Sequence, residues 1–135
     1  MVDVLVAGTV SDSHTWNLIF LQLFCEERGL RVANLGPCVP DALLVAETVA
    51  LRPGVVVLSS VNGHGYTDGL VTVQVLKAAV PDARVVIGGK LGIDGRGRGE
   101  WTSALVDAGF DAVFQGGDLE AFGDYLAGAP LAVGS

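Results

Sequence analysis

Five times along this chain a short aliphatic run is followed by a segment with helical periodicity, and that alternation limits the fold more than any other feature. The first run, within residues 2–10, centres on Val4-Leu5-Val6-Ala7. Leu18, Ile19, Leu21, Leu23 and Phe24 then mark a helix that ends at Gly29, a residue suited to closing helices. Leu30 to Leu35 reads as the second strand. Pro40 and Asp41 open the next helix, and Pro53-Gly54 lies beyond its end. Val55-Val56-Val57-Leu58 is the unbroken apolar run of a strand covered on both faces. A helix is expected over about 67–80, a strand at Arg84 to Ile87 and then a glycine-rich loop. A helix from about Trp101 to Ala108, a short strand at Ala112 to Phe114 and a helix from Leu119 complete the series.

Strands that alternate with helices form a parallel sheet with right-handed crossovers and helices on both faces. The expected fold class is therefore α/β: a flavodoxin-like (Rossmann-like), doubly wound, five-stranded parallel sheet of order 2-1-3-4-5. One domain over residues 1–128 is expected, with a frayed tail at 129–135. Ligands of such sheets bind at the carboxyl ends of the strands, near the switch point between strands one and three. The loops at that edge are Ser11–Asn17, Ser59–Tyr66, Gly88–Gly99 and Gln115–Asp118. All are rich in glycine, serine or threonine, whereas the opposite loops are short and plain.

Charge narrows the ligand. The chain carries 15 acidic against 8 basic residues, a net charge of −7, which speaks against a nucleic-acid surface. Neither a signal peptide nor a membrane-length apolar run is read, so no membrane contact and a cytoplasmic location are expected. The two cysteines make no disulfide framework: Cys25 falls in an apolar helical run and Cys38 in a Gly-Pro-Cys-Val-Pro loop.

Asp12-Ser13-His14 follows the first strand. A carboxylate two residues before an imidazole can hold the proton of one ring nitrogen and leave the other free to ligate a metal. By itself such a pair is more often a surface ion pair than a metal site. Other ligands of this fold fit less well. A phospho-receiver needs an aspartate where Ser59-Ser60 ends the third strand. Gly8-Thr9-Val10-Ser11-Asp12-Ser13 lacks the Gly-x-Gly-x-x-Gly of a dinucleotide site. Thr9, Ser11, Ser13 and Thr15 could line a flavin phosphate pocket, but Asp12 and the bulky His14 oppose a phosphate there.

Asp12-x-His14, Ser59-Ser60-Val61 and Gly88-Gly89, in this order and spacing, resemble the cobalamin-binding domain of adenosylcobalamin-dependent mutases and methionine synthases. That family's pattern is Asp-x-His-x-x-Gly, then Ser-x-Leu, then Gly-Gly. Within it the chain most resembles the small subunits of glutamate (methylaspartate) mutases. The likeness also includes Val32-Ala33-Asn34-Leu35-Gly36, Asn62-Gly63-His64-Gly65, Lys90 after Gly89, and Gly109-Phe110-Asp111-Ala112-Val113-Phe114.

The resemblance implies that adenosylcobalamin is the cofactor and His14 its cobalt ligand, with Asp12 on the other ring nitrogen. The cofactor's own base is displaced, and its nucleotide tail lies in a slot between the first and third strands. Ser13, Thr15 and Trp16 flank the ligand. Ser59 would hydrogen-bond the base while Ser60 and Val61 line the slot. Gly88 and Gly89 let the tail pass; Lys90, Leu91, Gly92, Ile93 and Asp94 wrap it, and Gly116-Gly117 closes the far side. The implied reaction is the radical interconversion of L-glutamate and threo-3-methylaspartate. The chain is not active alone: a large (E-type) mutase subunit carries the substrate site, so no catalytic residue is expected here. The alternative is a cobalamin carrier, sensor or corrinoid methyl-transfer module. The chain departs from the pattern at Asn17, where the family has glycine, and at Val61, where it has leucine. Asn17 is expected to narrow the slot and spare the fold.

Overall fold

Strands and helices alternate as anticipated in the computed structural model, which describes residues 2–11, 13–60, 65–89, 98–115 and 119–128. In chain order the elements are β1 (Val4–Gly8), α1 (Thr15–Glu26), β2 (Val32–Asn34), α2 (Asp41–Leu51) and β3 (Val55–Ser60). They continue as α3 (Gly65–Ala79), β4 (Val85–Gly89), α4 (Arg98–Ala108), β5 (Ala112–Gln115) and α5 (Leu119–Gly128). The strands form one parallel sheet of order β2-β1-β3-β4-β5, the flavodoxin-like arrangement read from the sequence.

The pleat divides the core into two layers. Leu5, Ala7, Val56, Leu58, Val85 and Ile87 face one side and pack with Leu44 of α2, Val73 and Leu76 of α3 and Leu105 of α4. Val4, Val6, Val55, Val57 and Val86 face the other and pack with Leu18 and Cys25 of α1 and Phe122 and Leu126 of α5. Every residue of β1 and β3 is buried, which accounts for their unbroken apolar character. Gly69 brings α3 close to the sheet: a Cβ there would lie 2.8 Å from Ile87 Cδ1.

Two carboxylates, one buried and one exposed, tie down the amino edge of the sheet. Asp3, fully buried, accepts a hydrogen bond from the backbone N–H of Arg31 at 2.8 Å and meets the Arg31 Nε at 3.5 Å. Asp111 accepts from the Val85 N–H at 2.8 Å and from Lys77 Nζ at 3.3 Å.

Several boundaries differ from the sequence reading, among them the shorter β2, which covers only Val32–Asn34. Helix α1 begins at Thr15, ahead of its first buried apolar residue, Leu18, because the polar first turn carries no periodic signal. Helix α4 likewise starts at Arg98, within a stretch whose glycines read as loop. Gly88 and Gly89 are not the start of the loop but the end of β4. Their pairing with Ser59 and Ser60 on one side and Phe114 and Gln115 on the other holds them in the ladder. The tail expected at 129–135 lies outside the described residues. Among the described residues, no helix is long and apolar enough to cross a membrane.

Candidate functional site

Two residues beyond the paired row Val6, Val57, Val86 and Ala112, the same face of the sheet reads Gly8, Ser59, Gly88 and Phe114 across β1, β3, β4 and β5. A seryl hydroxyl thus stands between two residues without side chains. This row forms the floor at the carboxyl edge, where the core residues give out.

Above it opens a cleft of about 170 Å³ between the sheet and helices α1 and α5. Its strand walls come from Val57, Leu58 and Ser59 of β3, Gly88 and Gly89 of β4 and Phe114 of β5. Helix α1 contributes Asn17, Phe20 and Leu21, and α5 contributes Leu119 and Phe122. The lining is mainly apolar and aromatic, with the Ser59 hydroxyl and the Asn17 carboxamide as its polar side-chain groups. Such a space suits a flat heteroaromatic group that hydrogen-bonds at one edge.

Aromatic packing holds the far side in shape. Phe122 stacks on Phe24 of α1 with centroids 5.7 Å apart and meets the Phe114 ring edge-on at 5.5 Å. Tyr125 meets Phe114 edge-on at 5.9 Å. The Arg28 guanidinium lies 3.6 Å over the Phe24 ring and donates to the Phe24 carbonyl at 3.0 Å. Burial raises the Tyr125 phenol above its ordinary pKa.

The loop from β1 to α1 passes along the same edge. The Thr9 N–H donates to the Ser59 carbonyl at 3.1 Å, and the Val39 N–H to the Gly8 carbonyl at 3.3 Å, fixing where the loop departs. The Thr9 Oγ1 is buried with no hydrogen-bond partner among the described residues. Farther on, the Ser11 hydroxyl donates to Asp68 Oδ2 in the first turn of α3. His14 is exposed at the N-cap of α1, with extended backbone (φ −80°, ψ 95°), and its side chain does not cap the helix. Ser13 and Thr15 beside it are exposed, and Trp16 is 81% exposed.

The structure therefore gathers Ser59, Gly88 and Gly89 into the cleft, with Ser13, His14, Thr15 and Trp16 on the exposed loop and first turn of α1. Ser60 is fully buried, and the pleat turns it to the opposite face from Ser59. Asp12, Val61, His64, Lys90–Asp94 and Gly116-Gly117 lie outside the described residues. Asn17, flagged by its departure from a motif, does line the cleft. Sequence reasoning passed over Phe20, Leu21, Val57, Phe114, Leu119 and Phe122 as site residues, since none of them belongs to a motif. Their available signal was alternation: Phe114 stands two residues beyond buried-face Ala112, as Ser59 stands beyond Val57.

Among the described residues no three His, Cys, Asp or Glu side chains cluster to hold a metal ion. Cys25 is buried, and that burial pushes its thiol up to about 11; Cys38 is exposed in a left-handed loop conformation at φ 51°.

Comparison with known proteins supplies a family and a fold. The B12 binding domain family matches residues 2–122. The glutamate mutase sigma subunit of Halobacterium salinarum is 30% identical over 110 residues, 81% of this chain and 74% of that protein. A cobalamin-binding protein from Desulfitobacterium hafniense superposes with a TM-score of 0.71 at 23% identity, over 91% of this chain. The chain spans 56% of that protein's length. A CheY-like protein from Pseudomonas aeruginosa shares the fold, with a TM-score of 0.67 at 24% identity over 96% of this chain and 97% of that one.

Proposed function

This chain belongs to the B12-binding domain family, and from that premise we propose that it is the adenosylcobalamin-binding small subunit of a methylaspartate mutase-like isomerase. With a large partner subunit it interconverts L-glutamate and threo-3-methylaspartate. The observation that carries the reading is the cleft floored by Ser59 between Gly8 and Gly88, sharing one sheet edge with His14.

The residues present fit such a cofactor. A Cβ on Gly88 would come 3.3 Å from the Phe114 carbonyl oxygen, so glycine keeps the floor low where a flat base must enter. Phe20, Phe114 and Phe122 offer apolar and aromatic surface to its rings. The Ser59 hydroxyl, 6% exposed, can donate to a ring nitrogen. The exposed His14 imidazole suits a metal that arrives with its other ligands already attached, since one protein donor completes the set. Asp12 would set its tautomer.

When bound, the cofactor supplies a carbon radical by homolysis of its cobalt–carbon bond. The chain's own work is to ligate through His14, to seat the tail over Ser59 and Gly88, and to shield the base from water beneath α1 and α5. Trp16, exposed two residues after His14, offers an aromatic surface to the corrin or to the partner that covers it.

The test is titration of adenosylcobalamin into the chain, with and without a candidate large subunit, followed by visible absorption and methylaspartate formation. Binding with the spectrum of an imidazole-coordinated, base-displaced cofactor, lost in His14→Ala, is expected. A bound cofactor that supports no rearrangement with any large subunit would instead assign a carrier, sensor or methyl-transfer module. Failure to bind would overturn both.

A further inference from the structure

The β1–α1 loop carries His14 yet leaves the sheet after Thr9, and Val10 and Ser11 are exposed. A ligand on such a loop must be held in place from elsewhere, because a metal–nitrogen bond tolerates little misplacement. The structure supplies a hold at some distance along the chain: the Ser11 hydroxyl donates to the carboxylate of Asp68, 57 residues on. Asp68 sits on a well-fixed support. It precedes Gly69, whose missing side chain lets α3 lie against Ile87 and Phe110, and Val73 and Leu76 of the same helix are fully buried.

We propose that Asp68 is a positioning residue for the cobalt ligand. Through Ser11 it fixes the loop so that the His14 imidazole is presented to the cofactor in one place. This inference rests on the cobalamin reading and assigns to that site a residue on a third structural element. Asp68 does not touch the cofactor in this account; it acts by limiting where the loop can go. Its place in the first turn of α3 also gives it an ordinary role, a favourable charge at a helix start. The two roles separate experimentally, because Ser11→Ala breaks the clasp and leaves Asp68 where it is.

Adenosylcobalamin is titrated into the full chain and into Ser11→Ala, Asp68→Ala, Asp68→Asn and the Ser11→Ala/Asp68→Ala double variant, with His14→Ala as reference. Affinity and the imidazole-coordinated absorption spectrum are read, alongside melting. Each alanine variant should bind about tenfold more weakly, the low end of what loss of a group holding a metal ligand costs. Its spectrum should shift toward the uncoordinated, base-displaced form. The double variant should lose no more than either single one, since both remove the same contact. Asp68→Asn, which keeps an acceptor oxygen, should recover most of the coordination. Unchanged spectra and affinities in the alanine variants, or losses that multiply in the double variant, overturn the proposal. Should Asp68→Ala fail to fold, Ser11→Ala on the exposed loop decides alone. If His14→Ala keeps the parent spectrum, the cobalamin reading itself fails, an outcome distinct from loss of the clasp.

Discussion

Gly88 lies beside Phe114 in the β4–β5 ladder so closely that a Cβ on Gly88 would stand 3.3 Å from the Phe114 carbonyl oxygen and 3.5 Å from its Cβ. The absence of that one carbon keeps the floor of the cleft open. Gly88→Ala should fold, with overpacking that costs about 1–3 kcal/mol. Cobalamin binding should fall at least severalfold, because the methyl group projects where the proposed function seats the base. Paired calorimetric melting and spectral titration check this; binding as tight as the parent's would place the base elsewhere.

Asn17 lines the same cleft from the start of α1. Removing its side chain should widen the entrance. Asn17→Gly is expected to tighten cobalamin binding by about fivefold, equivalent to roughly 1 kcal/mol. It should also lower the melting temperature slightly, since glycine is a poorer helix former than asparagine by a few tenths of a kcal/mol. Equilibrium dialysis against adenosylcobalamin measures the first effect and thermal unfolding the second. Weaker binding would mean that the carboxamide holds the cofactor rather than obstructing it.

How much of this was legible beforehand depends on which physical signal each residue carries. The strands themselves followed from apolar runs such as Val55–Leu58, because burial on both faces leaves a continuous pattern, and their order from the alternation of five strand-helix units. Ser59 and Gly88 were found as motif residues, yet nothing local told that they stand opposite one another in register. Gly88-Gly89 read as loop because glycine's permissiveness is a local property, whereas the ladder that straightens it is tertiary. Phe114 and Phe122 were hidden for a similar reason: a residue that walls a cleft and one that fills a core look alike until α5 is docked. The Ser11–Asp68 contact joins residues too far apart in sequence for any periodicity to reveal it.

Gly69 predicts a purely structural effect. With a Cβ placed 2.8 Å from Ile87 Cδ1 and 3.4 Å from the Phe110 ring, Gly69→Val should force α3 away from the sheet. A loss of about 1–3 kcal/mol is expected from overpacking at this fully enclosed contact. Urea unfolding followed by circular dichroism measures it, and an unchanged midpoint would count against the close approach of α3 to β4.

Cys25 predicts a pH dependence. Burial holds its thiol up to about 11, against 9.0 for the ordinary group. Below about pH 9 both folded and unfolded chains keep the proton, and the thiol contributes no slope. Between about 9 and 11 the unfolded chain ionises first, so stability falls as pH rises through that window. Tyr125, also raised by burial, adds to the decline in the same direction. Urea midpoints from pH 8 upward should drop more steeply in the parent than in Cys25→Ala, for which the thiol's part of the slope is gone. Equal slopes would show that the thiol already ionises freely in the folded protein.

The chain's earliest and latest helices meet across the cleft, with Phe24 stacked on Phe122. A guest lodged there mortars α1 to α5. Loading should then raise resistance to proteolysis within α5 out of proportion to the few residues touched, by simple mass action on the docked state. Vacant copies would then be the ones cut first in a limited digest.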